Sequence, residues 1–472
     1  MTSLAAVILA AGKGTRMRSK TPKVLQAVAG RPMILYALEL AEALGARPVI
    51  AVLGHQTEQV KKVLPLTGWR AVEQSEPLGT GHAVRRTEEV LKDFPGDVLV
   101  LHADVPLLRA ETLRQLVETH RRSGAVATVL TAIMEQPGRL GRVVREPGRV
   151  VRIVEALDAT EAERAIREVN TGTYCFQASF LYPALQELRA DNLKGEYYLT
   201  DVIGAACRAG LQVQAMQTED WREAVGVDSK ADLAMAETIM RQQVLARLMA
   251  EGVTILDPPS TYVHSQVRVG RDTVLYPNTY LLGNTMIGED CEVWPNTVIR
   301  DSTLEDGVVI LPSCVITGST IASGSSVGPF AHLRPESVLR KGVKLGNFVE
   351  VKKSLLGEGS KASHLSYIGD VVMGKDVNVG AGFIACNYDG ERKNEITIED
   401  GVFIGSDSQI IAPLHIGKGA YIATGTTVRK EVPPHALVYN PKDQVHRDNW
   451  ALQRQPKAHS ERGHVEEAQS EG

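Results

Sequence analysis

From Val263 onward, aliphatic side chains recur every six residues, at Val263, Val269, Leu275, Leu281, Ile287, Val293 and Ile299. The phase slips by one to Leu304, Ile310 and Ile316, then again to Ile321, and runs through Val327, Leu333, Leu339, Leu345 and Val351. A last run covers Ile398, Ile404, Ile410, Ile416, Ile422 and Val428, and small residues follow many of these positions, as in "IGED", "LGNF" and "IGSD". Neither the period of a helix nor that of a flat strand sustains a repeat of six. A parallel β-helix does, because each short face turns one aliphatic inward and places small or turn residues at the corner. An ordinary β-sandwich would not hold the phase for so long. Three faces per coil, stacked as strands are, predict roughly nine coils and a prism on the order of 40 Å tall. The polar stretch "ACNYDGERKNE" (Ala385–Glu395) breaks the phase and is expected to leave the prism as a loop, a good place for chemistry on a rigid support.

The first half reads differently. "AAVILAA" (Ala5–Ala11), "PVIAVL" (Pro48–Leu53), "VLVLHAD" (Val98–Asp104) and "VATVLTAI" (Val126–Ile133) are buried-strand patterns, with helical stretches between them and a helix entered near Pro32. That alternation predicts an α/β layer on a mostly parallel sheet, with ligands outside the carboxyl ends of its strands. Ser229–Gly252 follows as a helix whose apolar positions Leu233, Ala236, Met240, Val244 and Leu248 share one face. It either connects two domains rigidly or packs wholly on the first. The expected division is 1–228, a linker helix at 229–252, a second domain at 253–450 and a tail at 451–472 too polar to pack.

A chain of 472 residues with 43% hydrophobic and 23% charged residues is a soluble, multidomain globular protein. A net charge of −4 gives no electrostatic case for nucleic acid or an anionic membrane. The five cysteines (Cys175, Cys207, Cys291, Cys314, Cys386) form no CxxC pair, which argues for a reducing compartment. No signal-peptide pattern precedes the first strand and no apolar run is long enough to span a bilayer, so a cytoplasmic protein without membrane insertion is expected.

The loop "LAAGKGTRMRSKTPKVL" (Leu9–Leu25) follows the first strand. Gly12 and Gly14 let backbone N–H groups turn to a polyphosphate, and Lys13, Arg16 and Lys23 can offset its charge. It is not a Walker A loop, and alone it is compatible with a polar turn. Asp104 in "HADVPL" ends a strand and Asp228 is expected to end another after a second short apolar run; two hard oxygen ligands on separate strands suit Mg²⁺ beside phosphates, although each could instead cap a helix or turn. "EQSEPLGTGHA" adds Gln74, Gly79 and Thr80, small or uncharged groups that admit a base edge. On the solenoid, Arg334, Glu350, Lys352, His364, Tyr367, Asn378, Ala381, Asn387, Tyr388 and Ser406 form a polar constellation that the core does not need. Arg and Lys suit a sugar phosphate, and His suits removal of a proton from an attacking amine.

"LAAGKGTRM…PKVL", "EQ…LGTGHA", "ADVPL", "NTG" and "GEYYLTD" together resemble the sugar-nucleotide pyrophosphorylases. With the solenoid behind them, residues 4 to 450 resemble the bacterial bifunctional N-acetylglucosamine-1-phosphate uridylyltransferase/glucosamine-1-phosphate acetyltransferase family. The resemblance implies a Rossmann-like nucleotidyltransferase domain, a connecting helix and a left-handed parallel β-helix of hexapeptide repeats. It implies that Leu9, Ala10, Ala11, Gly12, Lys23, Gln74, Gly79, Thr80, His102, Ala103 and Asp104 line the UTP pocket. Gly141, Glu155 and Asn170 would hold sugar and ribose, and Asp104 with Asp228 would bind Mg²⁺.

On the solenoid it implies His364 as general base, with Arg334, Lys352, Tyr367 and Asn378 holding glucosamine 1-phosphate. Ala381, Asn387, Tyr388, Ser406 and Thr424 would contact acetyl-CoA, Ser406 being a candidate for the oxyanion and Glu350 for orienting the amine or His364. It further implies a homotrimer and N-acetylglucosamine 1-phosphate as the intermediate passed to UTP. Three positions depart from the family pattern: Asp228 where Asn is usual, Thr424 where Ala is usual, and Pro441 where Arg is usual. Lys442, Arg429 and Lys430 are the candidate substitutes for the lost cation. The rival readings are a non-catalytic scaffold, a monofunctional pyrophosphorylase, and a zinc carbonic anhydrase, for which His264, His332, His364 and His415 are too widely spaced.

Overall fold

The computed structural model describes residues 3–54 and 56–453; most of the polar tail lies outside the described residues. Leu4–Ala10 is buried along its whole length because it is central: it pairs in parallel with Val49–Leu53 on one side and Asp97–His102 on the other. Helices cover both faces of this sheet, so each strand must be apolar on both sides, which is why these segments read as continuous runs rather than alternating ones. Arg70–Glu73 extends the parallel edge. Glu168–Gln177, however, enters antiparallel between Asp97–His102 and Ala127–Ile133, and Arg142–Glu146 with Arg149–Val154 form an antiparallel hairpin. The sheet is therefore mixed rather than uniformly wound, and the hairpin builds one wall of the site described below.

The helix Lys230–Ala250 starts at a capping box, in which Ser229 Oγ accepts from the Asp232 amide and the Asp232 carboxylate accepts from the Ser229 amide. Its buried face is Ala236, Ile239, Met240, Val244, Leu245 and Leu248. These residues share one hydrophobic core with Met17, Val28 and Met33 from the first half and with Val253, Val263 and Leu275 from the second. The helix thus packs on both, neither a free rod nor a lid on the first domain alone. Glu237 Oε2 accepts from Ala29 N at 2.6 Å and Ser265 N donates to Ala29 O at 3.0 Å, so polar contacts tie the halves at the same place.

Beyond it the chain winds as the six-residue period requires. Tyr262 pairs with Tyr280 and Val263 with Leu281, three faces further along. Where the sequence phase slips, the coil is one residue shorter: Ile287 pairs with Leu304 and Leu304 with Ile321. Across the polar loop it is seven longer, with Val379 opposite Ile404. Among the described residues the third face is a ladder of nine parallel strands, one for each coil. Every aliphatic of the repeat named above is buried. Two residues before many of them stands a buried small residue, such as Thr261, Thr273, Thr279 or Ser337, whose hydroxyl returns to a corner carbonyl (Thr273 Oγ1 to Gly288 O, 2.8 Å). That satisfies carbonyls that the sharp corner turns away from the ladder.

Candidate functional sites

At the first site, the loop after Leu4–Ala10 returns Lys23 beneath its own glycines. Lys23 Nζ forms an ion pair with Asp104 Oδ2 and bonds Asp228 Oδ1 at 3.0 Å, while Arg16 Nη2 lies 2.8 Å from Asp228 Oδ2. Burial would lower the Lys23 pKa, but Asp104 and then Asp228 outweigh it and hold the ammonium above its usual range. Burial would likewise raise Asp104, yet Lys23 holds it below the ordinary carboxylate range. His102 is lowered by burial, leaving a neutral imidazole beside the acid pair. Asp228 is not at a strand end: it lies in the coil between the short helix Trp221–Ala224 and the helix Lys230–Ala250. What brings it to Asp104 is backbone, since Val227 N donates to Asp104 O at 2.9 Å. Glu223, 2% exposed, braces that coil by accepting from Arg109 N, Thr112 Oγ1 and Thr218 Oγ1. No spacing rule pointed to Glu223, because its partners come from separate elements.

A cavity of about 640 Å³ opens from the acid pair, lined among others by Arg16, Thr80, His102, Gly141, Glu155 and Asn170. Burial pushes the Glu155 carboxyl up, and Thr200 Oγ1 donates to it at 3.2 Å. Asn170 is fixed on both sides: its amide donates to Tyr174 Oη at 2.7 Å, and its oxygen accepts from Gly172 N at 2.9 Å. "LGTGHA" and "GEYYLTD" meet because Gly81 N donates to Tyr197 O and Tyr197 N to Leu78 O, both at 2.8 Å; a Cβ on Gly79 would lie 2.6 Å from Tyr197 O. Gln74 Nε2 donates to Gly79 O at 3.1 Å, holding the same turn. Leu9, Ala10, Ala11, Gly12 and Ala103 supply backbone at the strand ends rather than cavity wall, and Lys13 is exposed on the loop.

Gly14 is left-handed, with φ 59°, and a Cβ there would sit 2.6 Å from Lys23 Cβ. Gly14→Ala is expected to displace Lys23 from the acid pair and to lower the first site's turnover by about tenfold or more, from a strain of roughly 1–2 kcal/mol plus the steric contact. Steady-state turnover at this site, beside the thermal unfolding curve of the same preparation, measures it.

At the second site, register does the assembling. His364 stands opposite Asn347, and Lys361 opposite Asn378, which carries the same alignment to Ala381. Asn378 pairs with Phe403 and Phe403 with Tyr421, so Ser406 and Thr424 continue the line. Asn347, His364, Ala381, Ser406 and Thr424 are one column on successive coils, beside a left-handed corner. Asn347 Oδ1 lies 2.7 Å from His364 Nδ1, which fixes the ring and leaves the other ring nitrogen for chemistry. Asn347 was missed in the sequence, for it becomes visible only once the slips place it a coil below His364.

At the next corner, Arg334 Nη1 bonds Glu350 Oε1 at 3.0 Å, and Arg334 N donates to Val351 O, alongside Lys352. Lys352 Nζ reaches Asp370 Oδ2 at 3.1 Å. The loop returns Lys393 to the same place through a bridge with Tyr388; its charge is felt by Lys352, which, with Arg334, depresses the Lys393 pKa. Lys393 was also missed, lying in a stretch read only as a loop. Asn387 Nδ2 lies 3.4 Å from Tyr367 Oη. His364 and this cationic cluster lie on neighbouring corners of one prism, and His364 faces outward and is exposed.

Two sites of different chemistry, an acid pair with a basic glycine loop at strand ends and a histidine column with a cation cluster on a hexapeptide prism, define a two-site transferase. Residues 6–196 match the MobA-like NTP transferase domain, residues 258–388 the GMPPB C-terminal domain, and residues 395–430 the bacterial transferase hexapeptide (six repeats). Proteins named bifunctional protein GlmU are similar over nearly the whole chain. Those of Pelobacter propionicus and Trichlorobacter lovleyi are both 46% identical, over 97% and 96% of this chain and 100% and 99% of their own. That of Shouchella clausii is 47% identical over 95% of this chain and 99% of its own. The chain belongs to the GlmU family, and is a bifunctional nucleotidyltransferase and acyltransferase.

Proposed function

We propose that the chain makes UDP-N-acetylglucosamine, a precursor of the bacterial wall, in two steps on two separate domains, 1–228 and 253–450. The observation that carries this reading is the pairing of Asp104 and Asp228 on one buried ammonium in the first half with the His364 column and Arg334–Lys352–Lys393 cluster in the second. In the second half, the amine of glucosamine 1-phosphate attacks the thioester carbon of acetyl-CoA. The C–N bond forms, the C–S bond breaks, coenzyme A leaves as its thiolate, and His364 takes the proton from nitrogen. Arg334, Lys352 and Lys393 offset the phosphate; Tyr367 and Asn378 complete the sugar pocket. Ala381, Asn387, Tyr388, Ser406 and Thr424 run along the prism beside the donor.

In the first half, a phosphate oxygen of N-acetylglucosamine 1-phosphate attacks the α-phosphorus of UTP and pyrophosphate departs. Glu155, Asn170 and Gly141 hold sugar and ribose, while Thr80 and Gln74 shape the base end. Arg16, Lys23 and Lys13 lie where triphosphate charge must be offset. Asp104 and Asp228 fit a divalent cation such as Mg²⁺, since both already direct an oxygen at the single positive charge of Lys23. When bound, the cation neutralises charge on the phosphates.

The second site is open in one protomer. Phe330, Phe348 and Leu365, each more than half exposed, stack beside the His364 column, with the two phenyl rings 5.2 Å apart. Such a stripe belongs against another prism, and supports a homotrimer whose sites close between neighbours. Among the described residues no helix is long and apolar enough to cross a membrane, and soluble substrates accord with a cytoplasmic place of work.

The test is purified protein with glucosamine 1-phosphate, acetyl-CoA and UTP, omitting each in turn. Pyrophosphate without acetyl transfer would leave the monofunctional reading, and neither product the scaffold. Asp228→Asn is a finer test. Removing one formal charge from the cation site should raise the Mg²⁺ needed for half-maximal pyrophosphate release several-fold with little change in the plateau; an unchanged Mg²⁺ titration counts against Asp228 as a ligand.

A further inference from the structure

Asp370 has no role in the scheme above, yet the acetyl-transfer residues lean on it. It follows Gly369 at a prism corner, with φ 53°, and is 8% exposed. A single oxygen, Oδ2, accepts from Lys352 Nζ at 3.1 Å and from Asn387 Nδ2. Its backbone closes the same corner: Asp370 N donates to Lys352 O at 3.0 Å, and Ile396 N, where the chain re-enters the prism after the loop, donates to Asp370 O at 3.0 Å. Gly369 beside it has no side chain for a clear reason. A Cβ there would stand 2.4 Å from Tyr367 Oη and 2.8 Å from Asn387 Nδ2, so the tyrosine lies across the glycine and against the amide that Asp370 holds.

We infer that Asp370 is a positioning residue for acetyl transfer, which aims Lys352 at the sugar phosphate and Asn387 at the acetyl donor from one carboxylate oxygen and so joins the two substrate subsites. This rests on the roles given to Lys352 and Asn387 under the proposed function. The physical case has two parts. A lysine has a flexible four-carbon stem, and an ion pair at its tip spends the ordering entropy before substrate arrives. Lys352 and Arg334 also both repel Lys393 where the loop brings it in, and a buried carboxylate lets these cations share a site while it is empty of phosphate. A carboxylate kept nine-tenths from water is itself stable only with such donors.

The experiment uses the full-length enzyme carrying Asp370→Asn, with uridylyl transfer and the thermal unfolding curve of the same preparation as checks of folding. The KM for glucosamine 1-phosphate and the KM for acetyl-CoA should each rise about tenfold, as expected for a lost hydrogen bond to a charged group, while kcat for acetylation falls less. A purely structural defect would lower kcat and the unfolding temperature without moving both KM values. In a Lys352→Met background, Asp370→Asn should add no further rise in the sugar-phosphate KM, because the group it acts through is gone. Unchanged KM values in Asp370→Asn, or fully additive effects in the double variant, overturn the proposal alone. Lys352→Met with an unchanged sugar-phosphate KM overturns the assignment of Lys352, and the proposal with it. Should Asp370→Asn not fold, Asp370→Ser removes the carboxylate without adding an amide donor and carries the same expectations; ordinary KM values in that variant overturn the proposal equally.

Discussion

His364→Ala removes acetyl transfer, lowering its kcat by about 10²–10⁴-fold, and leaves uridylyl transfer by the same preparation at its full rate. The size follows from the role. An attacking amine must lose a proton, and His364 is the imidazole in the column that also holds Ala381, Ser406 and Thr424. Nothing structural hangs on the ring: it is exposed, on an outer corner, and its contact is Asn347. The solenoid core is made by the aliphatics behind it, so the variant should fold normally. Acetylation followed by thiol release, beside pyrophosphate release from preformed N-acetylglucosamine 1-phosphate and UTP, measures both. A variant that keeps more than a tenth of its acetylation rate removes His364 from the mechanism.

Asp104→Ala has the opposite signature: uridylyl transfer falls on the order of 10³-fold, and acetyl transfer is untouched. Two losses combine. The proposed cation site would keep one carboxylate of two, and Lys23, whose charge Asp104 helps hold in a buried place, loses its nearest counter-ion. Excess Mg²⁺ should recover little, because the missing group is a lysine anchor as well as the proposed ligand. Full recovery at high Mg²⁺ would reduce Asp104 to a simple affinity determinant.

Much of both sites was legible before any coordinates. The six-residue period is a direct imprint of geometry, for a face of the prism has room for one inward aliphatic and a turn, so composition and spacing alone exclude other folds. The glycine loop and Asp104 were legible because strand ends of a parallel sheet are where ligands bind. Asp228 was legible as a residue but not as a place. It was expected at a strand end, and is instead held in a coil through Val227 N and Asp104 O, a bond between positions far apart in the chain. Lys393, Asn347, Glu223 and Asp370 gave no signal, since each matters through partners that no local pattern joins.

Repetition along the chain was therefore enough to establish the prism, its slips and its extruded loop, and the short glycine, acid and histidine signatures were enough to establish which chemistry belongs to which half. Which side chains share a corner was left to folding. Coils of seventeen and of eighteen residues alternate without a fixed rule, so that Asn347 meets His364, and Asp370 meets both Lys352 and Asn387, only once the ladder has closed. Contacts of that kind are set by summed displacements around a closed coil, and no window of sequence contains the sum.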